Sequence, residues 1–296
     1  MPVEQEPASA EHLQLIQYAK DVGTLYQELK AENALLKTAN RELAVSYYHT
    51  VFMGFDLISL NDEFLGGHCR RVARYAGELG EALGMDKEKI IQTKLSALLH
   101  DMGLIGIPKK TIVEMMMGRN LSEDKLQIYK LHPIVNVRPI TSNEKFKDIA
   151  DIIGAHHENM DGTGFPNGLK GDEISVASRI IAIVSAYDMR KQLSRKTIDL
   201  GKIISEMEKD AGTKYDISIL STFKKAIVKQ DPFKNTIDIH FSKLSPNMIL
   251  AKPLMAARDV KLLSAETEIR EDHIASINKY FKHHKSVPQI TIYTRN

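Results

Sequence analysis

Residues 87–108 read KEKIIQTKLSALLHDMGLIGIP. Ile90, Leu95, Leu98 and Leu99 recur at helical spacing, which predicts an amphipathic helix from Lys87 to Asp101. Pro108 marks the loop that follows. The helix ends on a doublet, His100–Asp101. Two adjacent side chains cannot both point inward from a regular helix, but they can at a helix end or irregular turn. Gly103 beside this doublet, and Gly154 beside His156–His157, could permit such a turn. Upstream, Val72, Tyr75, Ala76, Leu79 and Leu83 trace another apolar stripe, closed by Gly84 as a C-cap. Further helices are expected near 122–131, 144–157, 175–190, 197–211 and 216–229. No alternating strand pattern appears between about 61 and 230, so this region reads as mainly helical.

Five of the 11 histidines fall between 68 and 157: His68, His100, His132, His156 and His157. Imidazole is a good ligand for divalent transition metals, and a carboxylate such as Asp101 can bridge two of them. A lone histidine is usually an ordinary surface or core residue, and His12, His49, His240, His273, His283 and His284 are read that way. Two doublets with separate histidines on other helices, and a glycine-rich loop after one of them, point instead to a metal site. That loop, HHENMDGTGFPNG (156–168), has neither the dinucleotide fingerprint spacing nor an EF-hand's alternating acids. Its place after two histidines suits the wall or lid of a site.

Composition narrows the alternatives. The chain has 296 residues, with 40 Lys plus Arg against 38 Asp plus Glu, a formal charge of only +2. That balance argues against binding long nucleic acid. The single cysteine, Cys69, excludes an intrachain disulfide framework and a multi-cysteine zinc site. Residues 1–10 carry Glu4 and Glu6 and do not read as a signal peptide. No apolar run approaches a membrane span. A soluble cytoplasmic protein is expected.

The flanks differ from the centre. Residues 11–48 contain no proline and one glycine, and a helix is expected from about 11 to 58. Val22, Leu29, Leu36 and Leu43 recur every seven residues, with Ala19, Tyr26, Asn33 and Asn40 three positions before them. This heptad pattern fits a parallel homodimer with Asn33 and Asn40 setting register, or a helix packed on its own chain. Tyr47, Tyr48, Phe52 and Phe55 form an apolar cluster read as a packing joint. At the other end, Asp231–Pro232 breaks the helical region. Alternation around Ile237, Ile239 and Phe241, a turn before Ile249–Leu250, a short helix at 271–281 and a strand at 289–294 outline a small α+β module with a structural or partner-binding role. The expected organisation is thus 1–60, 61–232 and 233–296.

The stretches HCRRVARYAGELGEALGM, LLHDMGLIGIP, LHP, HHENMDGTGFP and IIAIVSAYD occur in the order and spacing of the HD-GYP family, and residues 60–230 resemble it. The resemblance implies a helical bundle of the HD superfamily, a long helix before it and a small α+β tail after it. It implies a metal-dependent phosphodiesterase that hydrolyses cyclic di-GMP with a metal-bridging hydroxide. Carried over position by position, His68, His100, Asp101 and Asp188 would hold one metal, and Asp101, His132, His156 and His157 the second, with Asp101 bridging. Asp188 enters only through the match at Tyr187–Asp188. The implied cofactors are two divalent ions, iron with manganese as the alternative.

Four departures bear on substrate handling. The GYP tyrosine is Phe165, and the lysine that usually follows HD-x-G is Leu104. The segment after Asp188 is shortened, so Met189 leads straight to Arg190 and Lys191, which are expected to stand in as catalytic cations. Phe64 occupies the place of a third-metal glutamate, so two metals are expected. Alternatives to cyclic di-GMP hydrolysis are another cyclic dinucleotide, or a weak or inactive module that senses nucleotide and passes its state to a signalling partner.

Overall fold

The computed structural model describes residues 10–105, 107, 109–116, 122–138, 140–141, 144–193, 200–226, 233, 235–257, 260–281 and 289–294. Pro108, Asp231, Pro232, His283 and His284, and the side chains of Tyr47, Tyr48 and His49, lie outside the described residues. The chain divides into two compact units, 1–54 and 55–296.

The first unit contributes most of one helix, α1 (Ala10–Asn61). Val22, Leu29, Leu36 and Leu43, the seven-residue series, are 44–65 % exposed. Asn33 donates its side-chain amide to the Leu29 carbonyl of the same helix.

The second unit opens with α2 (Glu63–Ala82), whose N-cap Asp62 accepts from the Leu65 N–H. Its far end is a Schellman cap. Gly84 takes a left-handed φ of 72°, the Gly84 N–H reaches the Glu81 carbonyl, and the Met85 N–H reaches Gly80. Helix α3 (Lys87–Leu99) starts at Asp86, which caps the Lys89 N–H. Then come α4 (Lys109–Met116), α5 (Glu123–Val137), α6 (Lys147–Gly154), α7 (Val176–Leu193), α8 (Leu200–Glu208) and α9 (Ile217–Ala226). The sequence pattern missed α4, which is only eight residues long. Helix α5 runs beyond the expected 131 through Pro133. Helix α2 packs chiefly on α3 and α7. Tyr75, Tyr187 and Phe223 meet edge to face in the core they share with α9.

The tail is α+β, as expected. Strand β1 (Asn235–His240) pairs antiparallel with β5 (Gln289–Thr294), which also pairs with β2 (Ile249–Leu250). A hairpin of β3 (Leu254–Ala257) and β4 (Val260–Leu263) was not read from the sequence, while α10 (Glu271–Phe281) falls where it was expected. Leu250, Leu254, Ile269, Ile277, Phe281, Ile290 and Ile292 form the tail's own core.

Candidate metal centre

Both doublets sit just past helix ends. His100 is the C-cap of α3, and Asp101 leaves the helix at φ −106°, ψ 9°. His156 and His157 follow Ala155, the C-cap of α6. This is the irregular geometry that lets neighbours point the same way. Gly154 is not what permits it: a Cβ there meets nothing within 4 Å, and its φ is not positive. The C-termini of α3 and α6 also bring the negative ends of two helix dipoles to the site, which favours a cation.

Asp101 stands at the centre. Its Oδ2 lies 3.5 Å from His68 Nε2 and 3.2 Å from His100 Nε2. Its Oδ1 lies 3.3 Å from His132 Nε2 and 3.7 Å from His156 Nε2. One carboxylate therefore divides four histidines into two pairs. His157 joins the Oδ1 group, all of whose ligand atoms lie within 4.8 Å of one another. Donors about 2.1 Å from a common ion are about 3.0–3.4 Å apart, so these spacings suit metal ligands.

The second ring nitrogens decide which atoms face inward. His100 Nδ1 bonds the Ala97 carbonyl, His132 Nδ1 that of Tyr129, and His156 Nδ1 that of Ile153. For His132 the cause is local. Pro133 lacks the N–H that would reach Tyr129 in a regular helix, and the imidazole takes its place. An Nδ1–H donated outward leaves an Nε2 lone pair facing Asp101. His132 Nε2 and His156 Nε2 then meet at 3.4 Å, lone pair to lone pair. That contact is repulsive by itself and is relieved by a cation between them, so the donor set fits a divalent ion with nitrogen and oxygen ligands.

Electrostatics divide the imidazoles, with His100 on one side and His156 and His157 on the other. His68, His100, Asp101, His132 and His156 are all buried. Burial works to raise the Asp101 carboxyl, but the imidazoles around it, His100 foremost, hold it well below the carboxylate range. Burial works to lower His100, and Asp101 reverses this and keeps it well above the usual value. Burial lowers His156 to about 4. It also lowers His157, helped by the charges of His156 and His132. Neutral imidazole is the ligating form.

Asp188, expected as a ligand beside His68, lies against that histidine. It is fully buried, its Oδ1 takes the Arg71 Nε–H at 2.7 Å, and its Oδ2 takes Arg71 Nη2 at 3.0 Å and His68 Nδ1 at 2.8 Å. It stands behind His68 and outside the donor group formed by His68, His100 and Asp101. The reason is Arg71, a buried guanidinium that requires a carboxylate partner. Burial raises the Asp188 carboxyl and Arg71 more than offsets this, leaving it far below the usual range.

Arg190 and Lys191 have partners of their own. Arg190 donates to the Ala186 carbonyl and the Tyr215 hydroxyl. Lys191 is buried, donates to the Tyr75 hydroxyl, and lies 5.9 Å from the ring centres of Tyr75 and Phe233. None of these contacts is with a member of the Asp101 cluster.

Two features were not legible. Glu158, buried, accepts the N–H groups of Asn167 and Leu169 and ties the glycine-rich loop down. That loop stacks Phe165 on His157, ring centres 4.7 Å apart. The Tyr129 hydroxyl lies 3.3 Å from His157 Nε2. Its tyrosine sits three residues before His132 in α5, a spacing that could have suggested a shared face. Leu104 is fully buried beneath the turn after Asp101.

A helical bundle that gathers histidines from α2, α5 and the ends of α3 and α6 around one aspartate offers a ligand set that could hold metal ions. The HD domain family pattern matches residues 53–219, and the chain belongs to that family. Among curated relatives, a 3'3'-cGAMP-specific phosphodiesterase of Vibrio cholerae is 28% identical over 64% of this chain and 41% of its own length. The cyclic di-GMP phosphodiesterase PdeB of Borreliella burgdorferi is 33% identical over 50% of this chain and 39% of its own. A cyclic di-GMP phosphodiesterase of Thermotoga maritima is 27% identical over 67% of this chain and 55% of its own. The matches thus span two-fifths to just over half of these relatives. A solved HD-GYP-type protein, Bd1817 of Bdellovibrio bacteriovorus, superposes with a TM-score of 0.48 at 23% identity, covering 55% of this chain and 52% of that one. No described helix is long and apolar enough to cross a membrane.

Proposed function

We propose that this chain is a metal-dependent phosphodiesterase acting on cyclic di-GMP and giving a linear dinucleotide or GMP. His68, His100 and Asp101 would hold one divalent ion, and Asp101, His132, His156 and His157 a second, iron or in its place manganese. The observation that carries the reading is the division of four histidines between the two oxygens of one buried carboxylate. When bound, such ions supply Lewis acidity toward a phosphodiester and lower the pKa of water. The chain's own residues prepare for this. Backbone carbonyls hold His100, His132 and His156 with Nε2 inward. Asp188 orients His68 through its Nδ1. Phe165 covers one face of His157 and limits water there.

The experiment is turnover of cyclic di-GMP by anaerobically purified, iron- or manganese-loaded protein with its ions counted. Product that disappears in Asp101→Ala supports the reading. Loss of several kcal/mol of transition-state stabilisation predicts a fall of ~10³-fold or more. Protein carrying two ions per chain without product would favour a nucleotide-sensing module with a signalling partner. A second substrate, 3'3'-cGAMP, belongs in the same assay because a relative is named for it. The exposed seven-residue series of α1 further supports a homodimer paired through that helix.

A further inference from the structure

Three arginines on one turn of α2 reach the same segment of the C-terminal module. Arg70 donates to the Ala265 carbonyl, Arg71 pairs with Glu266 at 3.0 Å, and Arg74 pairs with Glu268 at 3.4 Å. Only the middle contact leads to the metal centre. Arg71 gives Nη1 to Glu266 and commits Nε and Nη2 to Asp188, which holds His68 Nδ1. Every link of Glu266–Arg71–Asp188–His68 is 3.0 Å or shorter for at least one atom pair.

Two further features flank this contact. Glu266 has a φ of 58°, a left-handed conformation unfavourable for a residue with a Cβ. It is fixed there by its N–H on the Leu250 carbonyl and by the Tyr293 hydroxyl on its Oε1. Opposite it, Gly67 directly precedes His68. A Cβ at Gly67 would stand 2.9 Å from Glu266 Oε2 and 3.0 Å from Arg71 Nη1. The left-handed residue and the glycine thus lie on either side of the same ion pair.

We infer that Glu266 is a positioning residue for the His68 ligand, so that the C-terminal module sets ion binding at the His68–His100–Asp101 group. The inference rests on the metal reading above. Without Glu266, Arg71 loses one of its two carboxylates, its guanidinium can pivot, and the clamp on Asp188 and the His68 ring loosens. Groups that orient a ligating histidine typically tune metal affinity by about 10–100-fold.

The test uses full-length, metal-stripped protein titrated with Mn2+, with bound ions counted per chain. Glu266→Gln is expected to weaken one of two ions ~10–100-fold and spare the other. Glu268→Gln breaks a neighbouring contact of the same segment and is expected to leave both ions unchanged. A second readout needs no metal. The downfield Nδ1–H proton resonance of His68 should shift in Glu266→Gln and stay in Glu268→Gln. Should Glu266→Gln fail to fold, Tyr293→Phe, which removes only the hydroxyl on Glu266, gives a smaller shift in the same direction. Wild-type ion binding in Glu266→Gln, or equal weakening in both glutamine variants, overturns the inference while leaving the metal reading intact. Wild-type protein that takes up no Mn2+ or iron overturns the metal reading and this inference with it.

Discussion

Residues 10–54 and the helical region from α2 to α9 are built on opposite principles. In the first, leucines and valine of a regular series lie in solvent and no described residue is buried. In the second, charged and titratable groups are sealed from water: His68, Arg71, His100, Asp101, His132, His156 and Asp188. Each arrangement is unfavourable for an isolated chain. Exposed apolar area loses about 25 cal/mol per Å2, and a buried charge without a partner loses several kcal/mol. The difference teaches what each region lacks. In the reading proposed above, the open apolar stripe would be completed by another helix and the core of lone pairs and carboxylates by a cation.

The largest effect expected from breaking that contrast is at Asp188. Asp188→Ala leaves Arg71 buried with Glu266 as its remaining carboxylate, and the unfolding free energy should fall by about 3–5 kcal/mol in urea melts. A change under about 1 kcal/mol would mean that Arg71 finds water instead. Next is Tyr129→Phe. Removing the hydroxyl beside His157 should weaken the ion held with His132 and His156 by roughly tenfold in metal titrations while melting temperature stays near wild type. Smaller still is Lys191→Met. The side chain is packed against Tyr75 and Phe233, so turnover should stay within about threefold of wild type. A hundredfold loss would restore Lys191 as a catalytic cation. The smallest effect on folding should come from Leu29→Glu with Leu36→Glu. Sedimentation should report a single chain in place of a dimer, while the urea midpoint of the remaining fold moves by about 0.5 kcal/mol or less. A wild-type protein that already sediments as one chain would remove the homodimer reading.

The sequence by itself determined the helices, because their apolar stripes and caps are local: Gly84 ends α2, and the stripe of α3 runs up to His100. It also determined the cluster's composition, since two doublets and two further histidines are visible without a structure. The short helix α4 and the β3–β4 hairpin escaped because few residues carry their pattern. What only the tertiary structure decided is which atoms meet. Asp188 meets both His68 and a buried guanidinium, Arg71, 117 residues away. Lys191 turns into aromatic packing, and Tyr129 reaches His157 across 28 residues. Helical periodicity fixes the face on which a side chain lies. Its partner depends on burial and charge contributed by distant segments, and no local pattern records them.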